Sequence, residues 1–218
     1  MPFTTALNKR YLALNPLDRL RLLFDSFPAH EILFTSSFGS SSSVLLHMVN
    51  KVSPGHPIYF VDTGYHFTET IEYKEQLKKQ LELNIIETAA KPNKHKFTQT
   101  NSTYLHNQDL CCFINKVQPV NELKKNYNIW ISGLLKHQNA NRQSLNIFEK
   151  KADIIKFHPI LDMTKDEVEL YIYLHDLPKH ALVGQGYSSI GCTHCTRKGV
   201  EREGRWAGTN KIECGLHV

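Results

Sequence analysis

Apolar residues along this chain follow two alternating rhythms. Short runs at Glu31–Ser36, Pro57–Asp62, Leu83–Glu87, Ile129–Ser132 and Asp153–Phe157 have the length and the β-branched and aromatic content of buried strands. Between them, at 17–26, 42–51, 68–81, 119–126 and 164–175, apolar residues recur every three or four positions, the period of an amphipathic helix. Thr164 ahead of Lys165, Asp166 and Glu167 reads as a capping box that starts the last of these helices. This alternation predicts an α/β fold, a mostly parallel sheet covered by helices on both faces. Ligands of such sheets bind beyond the carboxyl ends of the strands, so the loops that follow the strands are where chemistry belongs.

Two of those loops carry suitable groups. The first, Thr35 to Ser43, follows the first strand and opens a helix at Val44. Its hydroxyls, its glycine and the free N–H groups of the helix start suit an anion, which makes Ser36, Ser37, Phe38, Gly39 and Ser40 candidate substrate contacts. A plain serine-rich turn has the same composition. In the second, Asp62 to Glu69, a carboxylate and a tight Gly64 turn lie at the rim of the sheet. Asp62 suits a ligand contact or a helix cap equally well.

Composition narrows the class. A chain of 218 residues with 41% hydrophobic content suits one sizeable core, and no Gly/Ser/Pro-rich linker or internal repeat divides it. The expected organisation is therefore a single domain over 1–218, with 197–218 as a mobile catalytic tail. The N-terminus lacks an apolar targeting region, and no segment approaches the ~18 uninterrupted apolar residues of a membrane span, so a cytoplasmic protein without a membrane partner is expected. The net charge of +5 suits a small anionic ligand. The basic runs with interleaved aromatics of a nucleic-acid groove are absent, so no nucleic-acid partner is expected.

The five cysteines fall into three sets: adjacent Cys111 and Cys112, the C-x-x-C of Cys192 and Cys195, and Cys214 alone in Glu-Cys-Gly-Leu-His. In a reducing cytosol cysteines serve as ligands or catalysts more often than as staples. The two pairs together can supply four thiolates to one metal centre, and both an iron–sulfur cluster and zinc remain open. Vicinal cysteines cannot easily close a disulfide with each other, and zinc knuckles usually space their two ligands by two to four residues. Cys214 has no partner left and reads as a nucleophile.

The order of the motifs carries a resemblance. Ser36 to Val44, Val61-Asp-Thr-Gly64, Cys111-Cys112 with Lys116, Gly133-Leu134 with Gln138 and Arg142, Gly186 to Thr196, Arg202-Glu-Gly-Arg-Trp206 and Glu213-Cys-Gly-Leu-His217 resemble, from residue 31 onward, the assimilatory adenylyl-sulfate and phosphoadenylyl-sulfate reductases. The C-C plus C-x-x-C set is similar to that of the adenylyl-sulfate branch. The resemblance implies an adenine nucleotide alpha hydrolase-like (PP-loop) fold and a [4Fe-4S] cluster on Cys111, Cys112, Cys192 and Cys195. It also implies reduction of adenylyl sulfate to sulfite and AMP through an S-sulfocysteine on Cys214, with thioredoxin or glutaredoxin as the reductant in sulfate assimilation and cysteine biosynthesis. A homo-oligomer is compatible with it.

Roles for further residues follow from that implied reaction. Arg202 and Arg205, three residues apart, would share a helical face and neutralise sulfate and phosphate oxygens with Arg142. Lys116, one helical turn from Cys112, would face both cluster and substrate, and His217 would donate to the sulfate or steady the thiolate. Two positions depart from the family pattern: Leu134 to Asn141 lacks the usual arginine pair, with Lys136 its one cation besides His137, and Asn115 stands where an arginine is usual. The alternatives are a phosphoadenylyl-sulfate reductase, a PP-loop tRNA-thiolating enzyme, which would carry a Ser-Gly-Gly-x-Asp-Ser loop, and a zinc-bound interaction module, which leaves the Glu-Cys-Gly-Leu-His tail without a purpose.

Overall fold

The computed structural model describes residues 2–151, 154–209, 211 and 213–216. Helices α1 (Pro2–Leu12) and α2 (Pro16–Ser26) precede β1 (Ile32–Ser36), α3 (Ser42–Val52), β2 (Ile58–Asp62), α4 (Thr68–Gln80) and β3 (Ile85–Ala89). Short helices α5 (Pro92–Thr100), α6 (Thr103–His106) and α7 (Gln108–Cys112) lead through a π-turn, Phe113–Val117, into α8 (Gln118–Lys124). Then come β4 (Ile129–Ile131), α9 (Ala140–Gln143), β5 (Phe148–Lys151), β6 (Ile154–Phe157) and α10 (Lys165–Leu174). The Thr164–Glu167 capping box starts α10 as the sequence predicts.

The strands form one six-stranded sheet in the order β3-β2-β1-β4-β6-β5, parallel except for β5. Side-chain alternation divides it into two faces. Ile32, Phe34, Ile58, Phe60, Ile129, Ile131 and Phe157 face the main core, where they meet residues of α2, α3, α4 and α10. Leu33, Trp130 and Ile154 face the other way onto Val120 of α8. Trp130 is fully buried and its indole N–H donates to the Thr35 hydroxyl at 2.9 Å. Truncating such a residue to alanine removes roughly 3–5 kcal/mol of stability.

Some elements escape the sequence pattern for identifiable reasons. Strand β5, Phe-Glu-Lys-Lys, is the antiparallel edge of the sheet, where charged residues face water and no apolar alternation is needed. Helices α1, α5, α6 and α7 are short or weakly amphipathic. The π-turn replaces the regular turn expected to carry Lys116: the Gln118 N–H donates to the Phe113 carbonyl, five residues back. Pro119 brings no N–H and would crowd the carbonyl four residues before it in a regular helix, and a π-turn at this point widens the ring that holds Lys116.

The chain runs from β1 through β2 to β3 on one side, then returns to place β4 on the other side of β1. The connections therefore diverge between β1 and β4. That divergence opens a crevice at the carboxyl ends of those two strands.

Candidate active site

A cavity of about 210 Å³ fills the crevice. Its floor is the loop after β1. Ser36 Oγ accepts the Phe38 N–H at 3.2 Å, and the Ser42 N–H and hydroxyl both donate to the Gly39 carbonyl, at 3.1 and 2.8 Å. These bonds fold the loop into a compact turn at the head of α3, with Ser36, Ser37, Gly39 and Ser40 on the cavity wall. Phe38 does not share that wall. Its ring is fully buried in the core against Phe60, at 5.6 Å between centroids, and its φ of 49° is what lets the loop turn around it.

Asp62 also lies outside the lining. Its Oδ1 accepts the Gly64 N–H at 2.8 Å and stands 3.9 Å from His66 Nε2, so in this structure it caps its own loop. His66 takes the place on the wall instead. Burial lowers the basicity of its imidazole, with a hydrogen bond to the Val61 carbonyl opposing.

The two cysteine pairs are buried side by side although 80 residues separate them in the chain. Cys111, Cys192 and Cys195 pack with Tyr65 and Trp206, and Cys112 is buried next to them. The C-x-x-C loop is pinned by an isolated bridge between His66 and Cys192 and by the Thr193 N–H donating to the Tyr65 carbonyl at 2.8 Å. All four thiols are free. Burial pushes the Cys112 thiol up to about 12, against Lys116; burial and the neighbouring Cys192 push Cys111 up to about 11. At Cys192 burial also acts upward, but Lys116, the Thr63 hydroxyl and Arg205 outweigh it and leave the thiol lowered. Among the described residues no three His, Cys, Asp or Glu side chains converge closely enough to hold a single metal ion.

Asn115, where the sequence departs from the family pattern, is buried beside this group. Its amide N–H groups donate to the Cys111 carbonyl at 3.0 Å, to Thr98 Oγ1 at 3.1 Å and toward the Cys111 sulfur at 3.7 Å, and its oxygen lies 2.9 Å from His95 Nδ1. A neutral amide thus meets the cysteine helix at this position.

Cations line the cavity. Lys116 is half-buried; burial would weaken its ammonium, yet the thiols of Cys192, Cys214 and Cys112 around it leave it raised. Arg205 stacks on Trp206 at 4.4 Å, and its guanidinium lies so close over Gly191 that any side chain there would displace it. Arg142 and Arg202 are held together by a residue whose role the motif did not reveal, Glu213. Its Oε1 accepts from Arg142 Nε and Nη2, at 2.8 and 2.7 Å, and from Asn139 Nδ2 at 2.9 Å. Its Oε2 lies 3.1 Å from Arg202 Nη2. Burial lowers Arg202 to about 10, with Glu213 opposing.

Cys214 follows Glu213 and lines the same cavity, half-buried. The fold therefore brings together Ser36, Ser37, Gly39, Ser40, Lys116, Arg142, Arg202, Arg205 and Cys214. His217 lies outside the described residues.

Comparison with known proteins identifies the family. Residues 31–198 match the family model described as phosphoadenosine phosphosulfate reductase domain. The chain belongs to that family. It is 39% identical to the adenosine 5'-phosphosulfate reductase of Bacillus cytotoxicus over 198 residues, 86% of this chain and 84% of the relative. It is 38% identical to the protein of the same name from Chelativorans sp., over 86% of this chain and 79% of that one. Among solved structures, the phosphoadenylyl-sulfate reductase of Candida auris in a phosphate complex superposes with a TM-score of 0.76 at 28% identity, covering 88% of this chain and 95% of that one. Yeast FAD synthetase shares the fold alone, with a TM-score of 0.60 at 14% identity over 89% of this chain and 74% of its own.

Beyond the predicted site residues, the structure adds Glu213, His66, Trp206 and Asn139 to the site. Glu213 was visible as part of the tail motif. Nothing in its local sequence indicated that its partners would lie 71 and 11 residues away.

Proposed function

We propose that this chain reduces adenylyl sulfate to sulfite and AMP, with Cys214 as the nucleophile. The observation that carries this reading is the position of a half-buried thiol on the wall of a cavity whose other walls are Lys116, Arg202, Arg205 and the serine-rich loop. In the first step the Cys214 thiolate attacks the sulfate sulfur, the S–O bond to the nucleotide phosphate breaks, and AMP leaves with that electron pair. The product is an S-sulfocysteine. Arg205, Arg202 and Lys116 offset the anionic oxygens of sulfate and phosphate, and the β1 loop receives the nucleotide.

The second step requires an external dithiol. One of its thiolates attacks the Cys214 sulfur and expels sulfite; its second thiol resolves the mixed disulfide and returns Cys214 as a thiol, so the dithiol supplies the two electrons. Thioredoxin or glutaredoxin has the required chemistry. For either to reach Cys214 the tail must swing away from the cavity, and 197–218 is read as that mobile element. His217 is assigned to the sulfate or to the thiolate on sequence grounds. The reaction is assigned to the cytoplasm, with no nucleic-acid or membrane partner; no helix among the described residues is long and apolar enough to cross a membrane.

A [4Fe-4S] cluster belongs to this reading, held by Cys111, Cys112, Cys192 and Cys195. The donor set fits: four free thiols, each buried, beside the aromatic rings of Tyr65 and Trp206 and with Lys116 among them. Cys111, Cys112, Cys192 and Cys195 would together supply the four thiolates such a cluster takes. When bound, such a cluster supplies a fixed charge and a rigid tie between the cysteine helix and the C-x-x-C loop. The residues of the chain perform the steps above.

The test is incubation with sulfate-radiolabelled adenylyl sulfate without reductant. Label on Cys214 with one burst of AMP, discharged as sulfite by reduced thioredoxin, is the expected result; label on Cys192 or Cys195 would overturn the assignment. The cysteine set and the curated relatives favour adenylyl sulfate over its 3′-phosphorylated analogue, to be read as the ratio of kcat/KM values.

A further inference from the structure

The reaction gives no role to Lys156, a buried cation. Lys156 stands in β6, in register with Trp130 of β4, and is 3% exposed. A buried ammonium in a sheet demands acceptors for its protons. Here Nζ donates to the backbone carbonyl of Leu216 at 3.3 Å and lies 5.1 Å from the Trp130 ring centroid. The charged or titratable groups that face it are Lys124 of α8, Lys151 and Glu149 of β5, and Cys214 of the tail. Burial and the two neighbouring lysines lower the ammonium to about 8, so it still carries its charge at neutral pH, and a charged donor makes the stronger hydrogen bond.

The acceptor belongs to the tail. Leu216 packs onto the apolar patch of Leu33, Val120, Trp130 and Ile154, on the face of the sheet away from the main core. Gly215 precedes it at a φ of +84°, a left-handed turn suited to glycine, so consecutive tail residues can serve two surfaces. Cys214 and Leu216 both line the cavity, and Leu216 is also packed over the sheet.

We propose that Lys156 is a positioning residue whose ammonium, with the apolar bed around Trp130, forms a seat for Leu216 and so holds the Cys214 segment closed over the cavity. Closure at one end comes from Glu213 on the arginines, and at the other from this seat. Its consequence for turnover rests on the reading of Cys214 as the nucleophile; the seat itself does not.

Tryptic cleavage after Lys211 in the full chain measures tail opening, because that bond must leave the protein surface to be cut. Lys156→Met keeps the aliphatic stem near Trp130 and removes the charge; Leu216→Ala removes the occupant and leaves the sheet untouched. Each should release the tail peptide about tenfold faster at pH 7, and the double variant should fall short of the product of the two effects. Smaller fragments report global unfolding, and if Lys156→Met produces them, Leu216→Ala with Lys156→Gln carries the test. Unchanged release in folded lysine variants would overturn the proposal. Faster release together with turnover by Cys214→Ser would keep the seat and remove the nucleophile, and unchanged release beside an inactive Cys214→Ser would do the reverse.

Discussion

The four paired cysteines and the single tail cysteine lie side by side but differ in burial and in access to the cavity. Cys111, Cys192 and Cys195 are buried among Tyr65 and Trp206, with Cys112 buried beside Cys111, on a helix and a loop fixed by backbone bonds. Cys214 is half-buried, hangs from a segment without regular structure, and is held by contacts on either side of it, Glu213 with the arginines and Leu216 with Lys156. Burial in rigid elements suits a ligand, whose geometry must not change. Partial exposure on a segment without regular structure suits a nucleophile, which must meet a nucleotide and then a reductant. The same side chain is thus assigned two jobs by what surrounds it.

Replacing one cysteine from each region breaks this comparison most sharply. Cys214→Ser should lower kcat roughly a thousandfold or more while bound iron and sulfide stay unchanged. Cys112→Ser should lose both the metal and the activity while its far-UV circular dichroism remains that of a folded sheet. Iron and sulfide analysis of the two variants separates the roles. Metal loss in the Cys214 variant, or full metal in the Cys112 variant, would collapse the distinction.

A smaller effect is expected from the contact that steers the tail. Glu213→Gln removes the negative charge shared by Arg142 and Arg202, and kcat/KM should fall by roughly 10- to 100-fold with iron content intact. Steady-state kinetics over a range of adenylyl sulfate concentrations checks it. At Asn115 the effect should fall on stability. Asn115→Leu removes the partner of His95 Nδ1 and one of several partners of Thr98 Oγ1, and should lower the free energy of unfolding by about 1–3 kcal/mol, read from the urea midpoint.

The weakest effect on either cysteine region comes from a site remote from both. Burial holds the His180 imidazole, hydrogen-bonded to Thr70 at 3.0 Å, down to about 4. Between the unfolded value of about 6.5 and that value the unfolded chain binds a proton that the folded chain refuses, so stability is full above pH 6.5 and falls as pH drops. By pH 5 this histidine alone should remove roughly 2 kcal/mol. His180→Gln should flatten that part of the stability profile, measured by urea unfolding at pH 7 and 5, with the tail and cysteine chemistry unaltered.

The parts of the molecule legible in the sequence are those with a local cause. Continuous apolar runs gave β1, β2, β4 and β6, helical spacing gave α2, α3, α4, α8 and α10, and Thr164 with Glu167 marked a helix start. The serine-rich loop was placed after β1 because a parallel sheet presents its binding loops there. Strand β5 was not legible, since an edge strand with a water-facing side needs no alternation, and β3 lies two residues later than its pattern suggested for the same reason. The roles of Phe38 and Asp62 also depended on more than the loop they occupy. Phe38 was drawn into the core by Phe60, and Asp62 was used by the Gly64 turn.

The sequence alone determined the element pattern, the sorting of five cysteines into two pairs and one single, and the motif order that marks the family. Only the tertiary structure decided which groups meet. Cys111 and Cys195 share one buried cluster because the chain returns past β1 before forming β4, and Glu213 finds Arg142 because the tail folds back across the crevice. The π-turn at Phe113–Val117 turns Lys116 to the cavity, and the register of β6 against β4 puts Lys156 beneath Leu216. Hydrophobic period and capping act over a few residues and can be read along a line. Ion pairs, buried cations and shared cavities depend on distances in space, which the closing of the sheet fixes.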